Sequence, residues 1–378
     1  MKLSAENAAW VEETWKKLQE KISAEADRIG DHIPYIPENG KYSDCSTPEK
    51  INGWTNGFWV GMMWQMFHAT GDQKYLEIAR GCEKKLDMAL ADGTKVSHDV
   101  GFMWLHSAVA DYRLTGNEES KVRGLHAANL LAGRYNPDGE FIRAWNPLER
   151  IGWVIIDCMM NVPLLYWAYE VTGDPRYKQI ALHHADKCMK DVLRPDGSTY
   201  HIVAFNPNTG ETEWYPDPQG YNAESSWSRG HAWAIYGYAL SYKHSGKQEY
   251  LEAAKALAHY FLANAAQTGY VPLLDFRAPA EPVYYDSTAA MCAACGMLEI
   301  AQAVPEFEKP LYENGAVNLL KATAEKFCHW KLEEDGILGG GSVAYHRGED
   351  QIHVPIIYGD YFMLEAVLRL LDKDCFIW

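Results

Sequence analysis

Asp157 is the residue whose setting points most directly to chemistry. It lies in the run Val154-Ile-Ile-Asp157-Cys-Met-Met, where burial of a charged carboxylate is costly. Burial in such surroundings raises the pKa of a carboxyl and favours its protonated form, which can act as a general acid near neutral pH. Considered alone, Asp157 is equally compatible with a structural carboxylate that caps or bridges helices.

Asp99 is the second candidate carboxylate. It follows His98 and opens the apolar segment Val-Gly-Phe-Met-Trp, a position where aspartate typically caps a helix. Its role changes if Asp99 and Asp157 begin neighbouring helices at the same end of the fold, because two carboxylates in one pocket are the usual arrangement for splitting glycosidic bonds. We therefore predict that Asp157 and Asp99 form a catalytic pair.

Arg229 lies in an apolar and aromatic segment, Trp227-Ser-Arg229-Gly-His231-Ala-Trp233. A guanidinium there needs a partner: either an aspartate of the protein, or a substrate carboxylate held by two parallel hydrogen bonds. Polar groups from nearby loops and aromatic rings that can stack on sugars extend this set. The predicted substrate-binding residues are Trp54, His98, Trp145, His201, Gln219, Arg229 and Trp233.

Other chemistries have little support in the sequence. No dinucleotide or phosphate-loop motif stands between a strand and a helix, and no GxSxG or HExxH motif occurs. His183-His184 with Cys188 has metal-ligand residue types but falls on an amphipathic outer helix. Cys292-x-x-Cys295 has no second CxxC partner and is typical of small residues between closely packed helices. We predict neither a metal nor an organic cofactor.

The composition is that of an ordinary globular protein, with 47% apolar and 23% charged residues. The formal net charge of −16 argues against nucleic acid or an anionic membrane as a partner. Residues 1–20 carry charges throughout, without the apolar core of a signal peptide, and no long apolar stretch suggests a membrane span. Scattered cysteines suit reduced thiols, so we expect a cytoplasmic protein of unknown oligomeric state.

Four similar turns punctuate the predominantly helical pattern of the chain. They read Thr70-Gly71-Asp72, Thr115-Gly116-Asn117, Thr172-Gly173-Asp174 and Ser245-Gly246-Lys247. Glycine ends one helix and the polar residue after it begins the next. Before each turn, one helix length earlier, a polar and aromatic cluster opens an apolar helix, and similar clusters recur at Tyr285-Asp286 and Tyr358-Gly-Asp360.

These six clusters, near residues 54, 99, 157, 229, 286 and 359, predict six pairs of an apolar helix followed by an amphipathic one. We predict an all-α fold, a closed (α/α)6 toroid with six inner and six outer helices, as a single domain over residues 1–378. An open solenoid of helix pairs is the alternative. The segments 206–224 and 336–355 are predicted loops over the mouth, the second made mobile by Gly339-Gly-Gly341.

The motifs resemble those of the unsaturated glucuronyl hydrolases, glycoside hydrolase family 88. The matching motifs are Trp54-Thr-x-Gly57-Phe-Trp59, Ser97-His-Asp99-x-Gly-Phe, Ile155-Ile-Asp157-Cys-x-x-Asn161, Gln219-Gly, Trp227-x-Arg229-Gly-x-Ala-Trp233, Tyr285-Asp286-Ser287 and Tyr358-Gly-Asp360-Tyr. They span nearly the whole chain. The chain departs from the family pattern at Pro218, where His is frequent, and at His231, where Gln is frequent, and we expect both positions beside the pocket.

The resemblance implies the (α/α)6 toroid and a hydrolase without cofactors. Its substrate carries a 4,5-unsaturated uronic acid at the non-reducing end, left by a lyase on a glycosaminoglycan. Asp157 would protonate C4 and help water add at C5, while Asp99 would hold ring hydroxyls and modulate Asp157. An unsaturated rhamnogalacturonyl hydrolase acting on pectin fragments and a non-catalytic sugar-binding protein are the alternatives.

Sulfated substrates would add a second anion. The segment 336–355 carries Arg347, His346 and His353, which could meet a sulfate, and also Glu349 and Asp350, which could reject it.

Overall fold

Helix pairs joined by tight turns make up most of the computed structural model, which describes residues 3–378. The helices are α1 (Ala5–Ile29), α2 (Phe58–Thr70), α3 (Gln73–Ala91), α4 (Val100–Trp104), α5 (Ala110–Thr115), α6 (Glu118–Ala132), α7 (Pro163–Thr172), α8 (Pro175–Asp191), α9 (Ser228–Ser245), α10 (Gln248–Ala266), α11 (Ser287–Ala303), α12 (Lys309–Phe327) and α13 (Ile357–Leu370). A π-helical turn, Leu105–Val109, joins α4 and α5 into one inner helix.

The four predicted glycine turns are confirmed. Gly71, Gly116, Gly173 and Gly246 each end an inner helix with φ of 72–73°, the left-handed conformation that glycine adopts without a steric penalty. Each backbone N–H donates to the carbonyl four residues earlier, which closes the last turn of the inner helix.

The inner helices α2, α4–α5, α7, α9, α11 and α13 form a closed ring, with α13 packed back against α2. The predicted (α/α)6 toroid is therefore confirmed. The predicted order of an inner helix followed by its outer helix is wrong for the sixth pair, because no helix follows α13 in the described chain. The outer partner of α13 is α1, from the other end of the sequence.

Burial separates the two layers. All fourteen residues of α13 are buried, whereas α3 buries one stripe that includes Tyr75, Ala79, Cys82 and Leu86, the spacing of an amphipathic helix. The interpretation of Cys292 and Cys295 as small packing residues is confirmed, since both are buried free thiols. Beside them, a Cβ on Gly296 would lie 2.9 Å from the backbone of Tyr236.

Short strands form three small antiparallel sheets. The strands are β1 (Pro37–Glu38), β2 (Lys41–Tyr42), β3 (Tyr135–Asn136), β4 (Phe141–Ile142), β5 (Trp153–Ile155), β6 (Ile202–Phe205) and β7 (Thr212–Trp214). The largest sheet has the order β5-β6-β7, and β5 runs directly into the 3₁₀ helix Ile156–Met160 that carries Asp157. This sheet therefore sets the position of one predicted catalytic residue.

The glycine run 339–341 is packed rather than mobile, so that prediction is wrong. A Cβ on Gly340 would lie 2.6 Å from the ring of Phe327. Only glycine, which has no Cβ, fits at this close approach. The Gly340 carbonyl accepts from Ser287 N–H at 3.0 Å, and Gly341 exchanges two backbone hydrogen bonds with Val354. This segment forms a fixed wall at the start of α11.

The segment after α13 enters the interior of the ring. Trp378 is 1% exposed and stacks on Phe362 with ring centroids 5.9 Å apart. Its indole N–H donates to Glu365 at 2.9 Å, and Arg113 donates to the last three backbone carbonyls.

Among the described residues, no helix has the length and hydropathy needed to cross a bilayer.

Candidate active site

The N-terminal ends of the inner helices meet at one end of the toroid, as predicted. Trp54, before α2, stacks on Tyr358 of α13 with centroids 5.0 Å apart, and its ring lies 5.3 Å from that of Phe102 in α4. The guanidinium of Arg229, in α9, lies 5.3 Å from the Tyr358 ring centre. Residues from four helix pairs thus line one site.

Asp99 precedes α4 but does not cap it. Its carboxylate makes no capping hydrogen bond, and the N–H of Phe102 is instead bound by Asn161 Oδ1 at 2.8 Å. The other end of the Asn161 amide donates to the carbonyl of Asp157 at 3.2 Å. A neighbouring chain segment therefore satisfies the helix terminus and leaves the Asp99 carboxylate available for other contacts.

The electrostatics around Asp99 favour its protonated form. Burial raises the pKa of Asp99 to about 7; the hydrogen bond from Ser97 opposes this rise and the charge of Asp157 adds to it. The neighbouring imidazole of His98 lies 3.4 Å from Asp99, and burial lowers the pKa of His98 to about 3. His98 is therefore neutral, and Asp99 and Asp157 have no imidazolium there to offset their charge.

Asp157 lies beside His201, which directly precedes β6, the strand paired with β5. The backbone N–H of Gln219 donates to His201 Nδ1 at 3.0 Å, so the proton of the neutral ring sits on Nε2. That nitrogen lies 3.5 Å from Asp157 Oδ1, and neither atom has a hydrogen-bond partner within residues 3–378. Trp227 covers the ring of His201 at 4.3 Å. The pair can therefore accept contacts from a bound molecule.

Gln219 positions His201 instead of presenting its own amide to the site. Its side-chain Nε2 donates to the carbonyl of Val343 at 2.9 Å, and its carbonyl accepts from Tyr345 N–H at 2.7 Å. Gln219 thus joins His201 to the wall formed by segment 336–355.

Arg229 adopts the structural pairing that the sequence left open. Its guanidinium binds Asp286 and donates to the carbonyls of Ser342 and Val343 at 2.6 Å each. Asp286 also caps α11 through Thr288. Buried at 1% exposure, Arg229 fastens the wall to two inner helices, and its donors are largely occupied by the protein itself.

The two remaining predicted tryptophans differ in depth. Trp145 is half-buried and meets His98 edge-to-face at 6.4 Å, at the rim of the site. Trp233 is fully buried, with Phe102 and Phe362 at 5.2 and 5.5 Å, and lies below the site.

The expectation that His231 lies beside the pocket is wrong. His231 Nε2 donates to the carbonyl of Leu257 at 2.8 Å, and its ring stacks on Tyr260 at 5.1 Å. Both partners belong to the outer helix α10, so His231 faces away from the inner ring. Pro218 directly precedes Gln219, whose N–H holds His201, and so remains next to the site.

Three residues of the site were missed as functional candidates: Asn161, Asp286 and Tyr358. Asn161 follows Asp157 by four residues, a spacing that could have indicated a shared helical face. The pairing of Asp286 with Arg229 joins residues 57 positions apart and left no local signal.

A cavity of 1010 Å³ adjoins Trp54 and is walled partly by Tyr35, Asn52 and Gln351.

The comparisons with known proteins agree with this geometry. The model of Glycosyl Hydrolase Family 88 matches residues 26–243. An unsaturated glucuronyl hydrolase of Bacillus sp. GL1 is 37% identical over 91% of this chain and 92% of its own. Its crystal structure superposes with a TM-score of 0.89 at 35% identity, covering 95% of this chain and 96% of the other.

A second relative comes from Streptococcus agalactiae. An unsaturated chondroitin disaccharide hydrolase of this organism is 32% identical over 97% of this chain and 93% of its own. An unsaturated glucuronyl hydrolase from S. agalactiae, as an Asp-to-Asn variant complexed with dGlcA-GalNAc6S, superposes with a TM-score of 0.83 at 29% identity, covering 97% of this chain and 93% of the other. By family match, identity and coverage, the chain belongs to Glycosyl Hydrolase Family 88.

Proposed function

We propose that this protein releases the 4,5-unsaturated uronic acid from the non-reducing end of glycosaminoglycan di- and oligosaccharides produced by lyases. The observation that carries the proposal is the pair Asp99 and Asp157 at the mouth of the ring, with side chains only 15% and 12% exposed. The charge of Asp157 acts to raise the pKa of Asp99, and the Asp99 carboxylate is not used as a helix cap. Relatives that are named for this activity, and cover nearly the whole chain, support the choice of substrate.

We propose that the two carboxylates share one proton, which the reaction uses. Two carboxylates in one buried site resist carrying two negative charges at once, so the pair keeps a proton near neutral pH. In the proposed reaction Asp157 gives this proton to C4 of the ring alkene, and positive charge develops at C5 and the ring oxygen. Asp157 then takes a proton from the water that adds at C5, which restores the acid.

The net reaction consumes one water. Addition at C5 gives a hemiketal, which opens to a ketone and leaves a hemiacetal at C1. The hemiacetal then expels the rest of the saccharide as an alcohol. No charge has to develop on the departing oxygen during the protonation step, so placement of the alkene against Asp157 is the main contribution of the protein.

The surroundings fit this sequence of steps. His201 presents its Nε2–H toward Asp157 and can donate to the carboxylate that forms when the proton leaves. Trp54 and Trp145 border the site with partly exposed rings, suited to the apolar faces of a sugar. We propose that Asp99 binds ring hydroxyls and regulates the charge of the pair.

The segment 336–355 offers one free cation for a sulfated sugar. His346 Nε2 donates to Tyr221, and His353 Nε2 accepts from Tyr285 N–H at 2.8 Å, so both histidines are engaged. Arg347 is exposed, and its charge opposes the rise that burial causes in the pKa of Tyr35. Tyr35 lines the cavity beside Trp54. Arg347 is therefore our candidate for contact with sulfate.

The test follows the ultraviolet absorbance of the ring alkene, which disappears on hydration. Unsaturated disaccharides made with chondroitin, hyaluronan, heparin and pectin lyases are compared at equal concentration. Turnover of the glycosaminoglycan products is expected. Preference for the pectin product would replace the proposal with a rhamnogalacturonyl hydrolase, and binding without any loss of absorbance would identify a non-catalytic sugar-binding protein.

A further inference from the structure

The sheet β5-β6-β7 has one face that serves the core. Val154, Val203 and Phe205 all belong to the main apolar core of the toroid. Side chains alternate along a strand, so the residues between them must point to the opposite face. That opposite face has its own small apolar cluster, in which Trp145 and Trp153 pack over Ile155 and Ile202.

Two tryptophans of this outer face meet above an alanine. Trp153 and Trp214 are both paired with Ala204, which lies on the strand between theirs. Because Ala204 carries only a methyl group, their rings approach to 5.3 Å between centroids at 86°. Trp214 remains 50% exposed. The sheet thus holds a large aromatic ring in water in a fixed orientation.

This face continues without a break into the candidate active site. Trp145 lies 6.0 Å from Trp153 and 6.4 Å from His98, the neighbour of Asp99. On the other side, β5 leads directly to Asp157, and the N–H of Ile156 donates to the carbonyl of His201 at 3.0 Å. The row of rings therefore starts beside His98, the neighbour of Asp99, and leads outward along the sheet whose strand β5 runs into Asp157.

A cation lies on the same face. The guanidinium of the exposed Arg150 lies 5.7 Å from the ring centre of Trp145 and 5.0 Å from that of Trp153. Aromatic rings stack on the C–H faces of sugars, and a guanidinium among them binds a carboxylate or sulfate. Sugar rings bearing anionic groups match this combination of side chains.

We propose that this tryptophan face, comprising Trp145, Arg150, Trp153 and Trp214, binds the sugar residues on the reducing-end side of substrates longer than a disaccharide. The inference rests on the proposed function, because only a saccharide whose unsaturated end sits between Asp99 and Asp157 extends over this face. Trp214 is the last ring of the row, with Trp153 and Trp145 between it and His98, so we expect a disaccharide to end before it.

The test compares an unsaturated disaccharide with an unsaturated tetrasaccharide made from the same polysaccharide by the same lyase. For Trp214→Ala we expect kcat/KM on the tetrasaccharide to fall about three- to tenfold, the loss of one aromatic stacking contact. We expect the disaccharide value to stay at wild type and Trp214→Phe to retain most of the tetrasaccharide activity. The matched control is Phe307→Ala, which removes an 82% exposed ring and should change neither value.

The outcomes separate the two proposals. If wild type leaves both saccharides intact, the proposed function fails and this inference falls with it. If wild type hydrolyses the disaccharide and Trp214→Ala treats the two substrates alike, only the inference is overturned, and longer chains run elsewhere, such as through the cavity beside Trp54. A dimer seen in sedimentation that Trp214→Ala abolishes, with tetrasaccharide kinetics unchanged, would assign the face to a second copy of the chain.

Discussion

The two carboxylates of the proposed pair are held by different neighbours. Asp99 accepts from Ser97 Oγ at 2.7 Å and lies beside a neutral His98, whereas Asp157 faces an Nε2–H of His201. Burial raises the pKa of Asp99 to about 7, and the hydrogen bond from Ser97 only partly opposes this rise. This difference in surroundings suits a pair in which Asp157 exchanges a proton with the substrate and Asp99 influences the charge that the pair carries.

Asp157→Asn tests the exchanging member. Asparagine keeps the shape of the side chain but cannot transfer the proton, so kcat should fall at least about 10²–10⁴-fold with an unchanged Tm. The absorbance assay measures kcat and thermal melting measures Tm, on the same preparation. Asp138→Asn, an exposed aspartate in the β3–β4 turn, is the control. If Asp157→Asn retained a tenth or more of the wild-type activity, Asp157 would not be the residue that transfers the proton.

Asp99→Asn should abolish turnover and should also change how the stability of the protein depends on pH. Folded Asp99 keeps its proton up to a pKa of about 7, whereas an unfolded aspartate loses it near pH ~3.9. The folded chain binds more protons between these values, so this residue lowers wild-type stability as pH rises through that window. Asparagine cannot ionise, and the free energy of unfolding of the variant relative to wild type should therefore increase from about pH 4 to 7 and then level off.

Urea unfolding at a series of pH values measures this difference. An aspartate that acted only as a helix cap would give the contrary result, near-normal kinetics and little change in stability at any pH, because asparagine caps a helix about as well as aspartate. Because the variant keeps the shape of the site, we also expect it to bind unsaturated disaccharide without turning it over.

Among the structural elements, the wall 336–355 depends on Arg229. Lysine at this position keeps the charge but cannot reach Asp286 and the carbonyls of Ser342 and Val343 together. Arg229→Lys should reduce the free energy of unfolding by about 1–3 kcal/mol and lower kcat/KM, since the same wall holds Gln219. The exposed Arg176→Lys is the matched control. A variant with wild-type Tm and kinetics would show that the wall is held without Arg229.

The repeated elements were predictable because their signals are local. A glycine after an apolar helix and a polar residue after the glycine identify the turns, and the turns give the count of helix pairs. The direction of His231 had no such signal, because α9 is buried around its whole circumference along most of its length and its sequence shows no amphipathic side. The ion pair of Arg229 with Asp286 and the pairing of α13 with α1 depend on distant residues.

For the whole molecule, Trp378 fills the centre of the ring. It meets His106 edge-to-face at 4.5 Å and stacks on Phe362, below the site. Trp378→Ala should cost about 3–5 kcal/mol of unfolding free energy, the usual loss for a buried tryptophan. Denaturant unfolding measures it, with Phe307→Ala as an exposed control. The kcat of the folded fraction should stay near wild type; a specific loss of kcat at full foldedness would instead connect the ring centre to catalysis.

The pairing of α1 with the far end of the chain has a consequence for biosynthesis. Lys21 and Glu25 of α1 are each 1% exposed, yet they bind the carbonyl of Lys331 and the N–H of Gly336, about 310 residues later. At ribosomal rates of about 5–20 residues per second, those partners are made roughly 15–60 s after α1. During that interval the ring is open and two charged side chains of α1 remain in water. The contacts that fasten α1 can therefore form only after residue 336 has been made, and a nascent chain that stalls before residue 331 presents an open ring with exposed apolar helices to the chaperones of the cell.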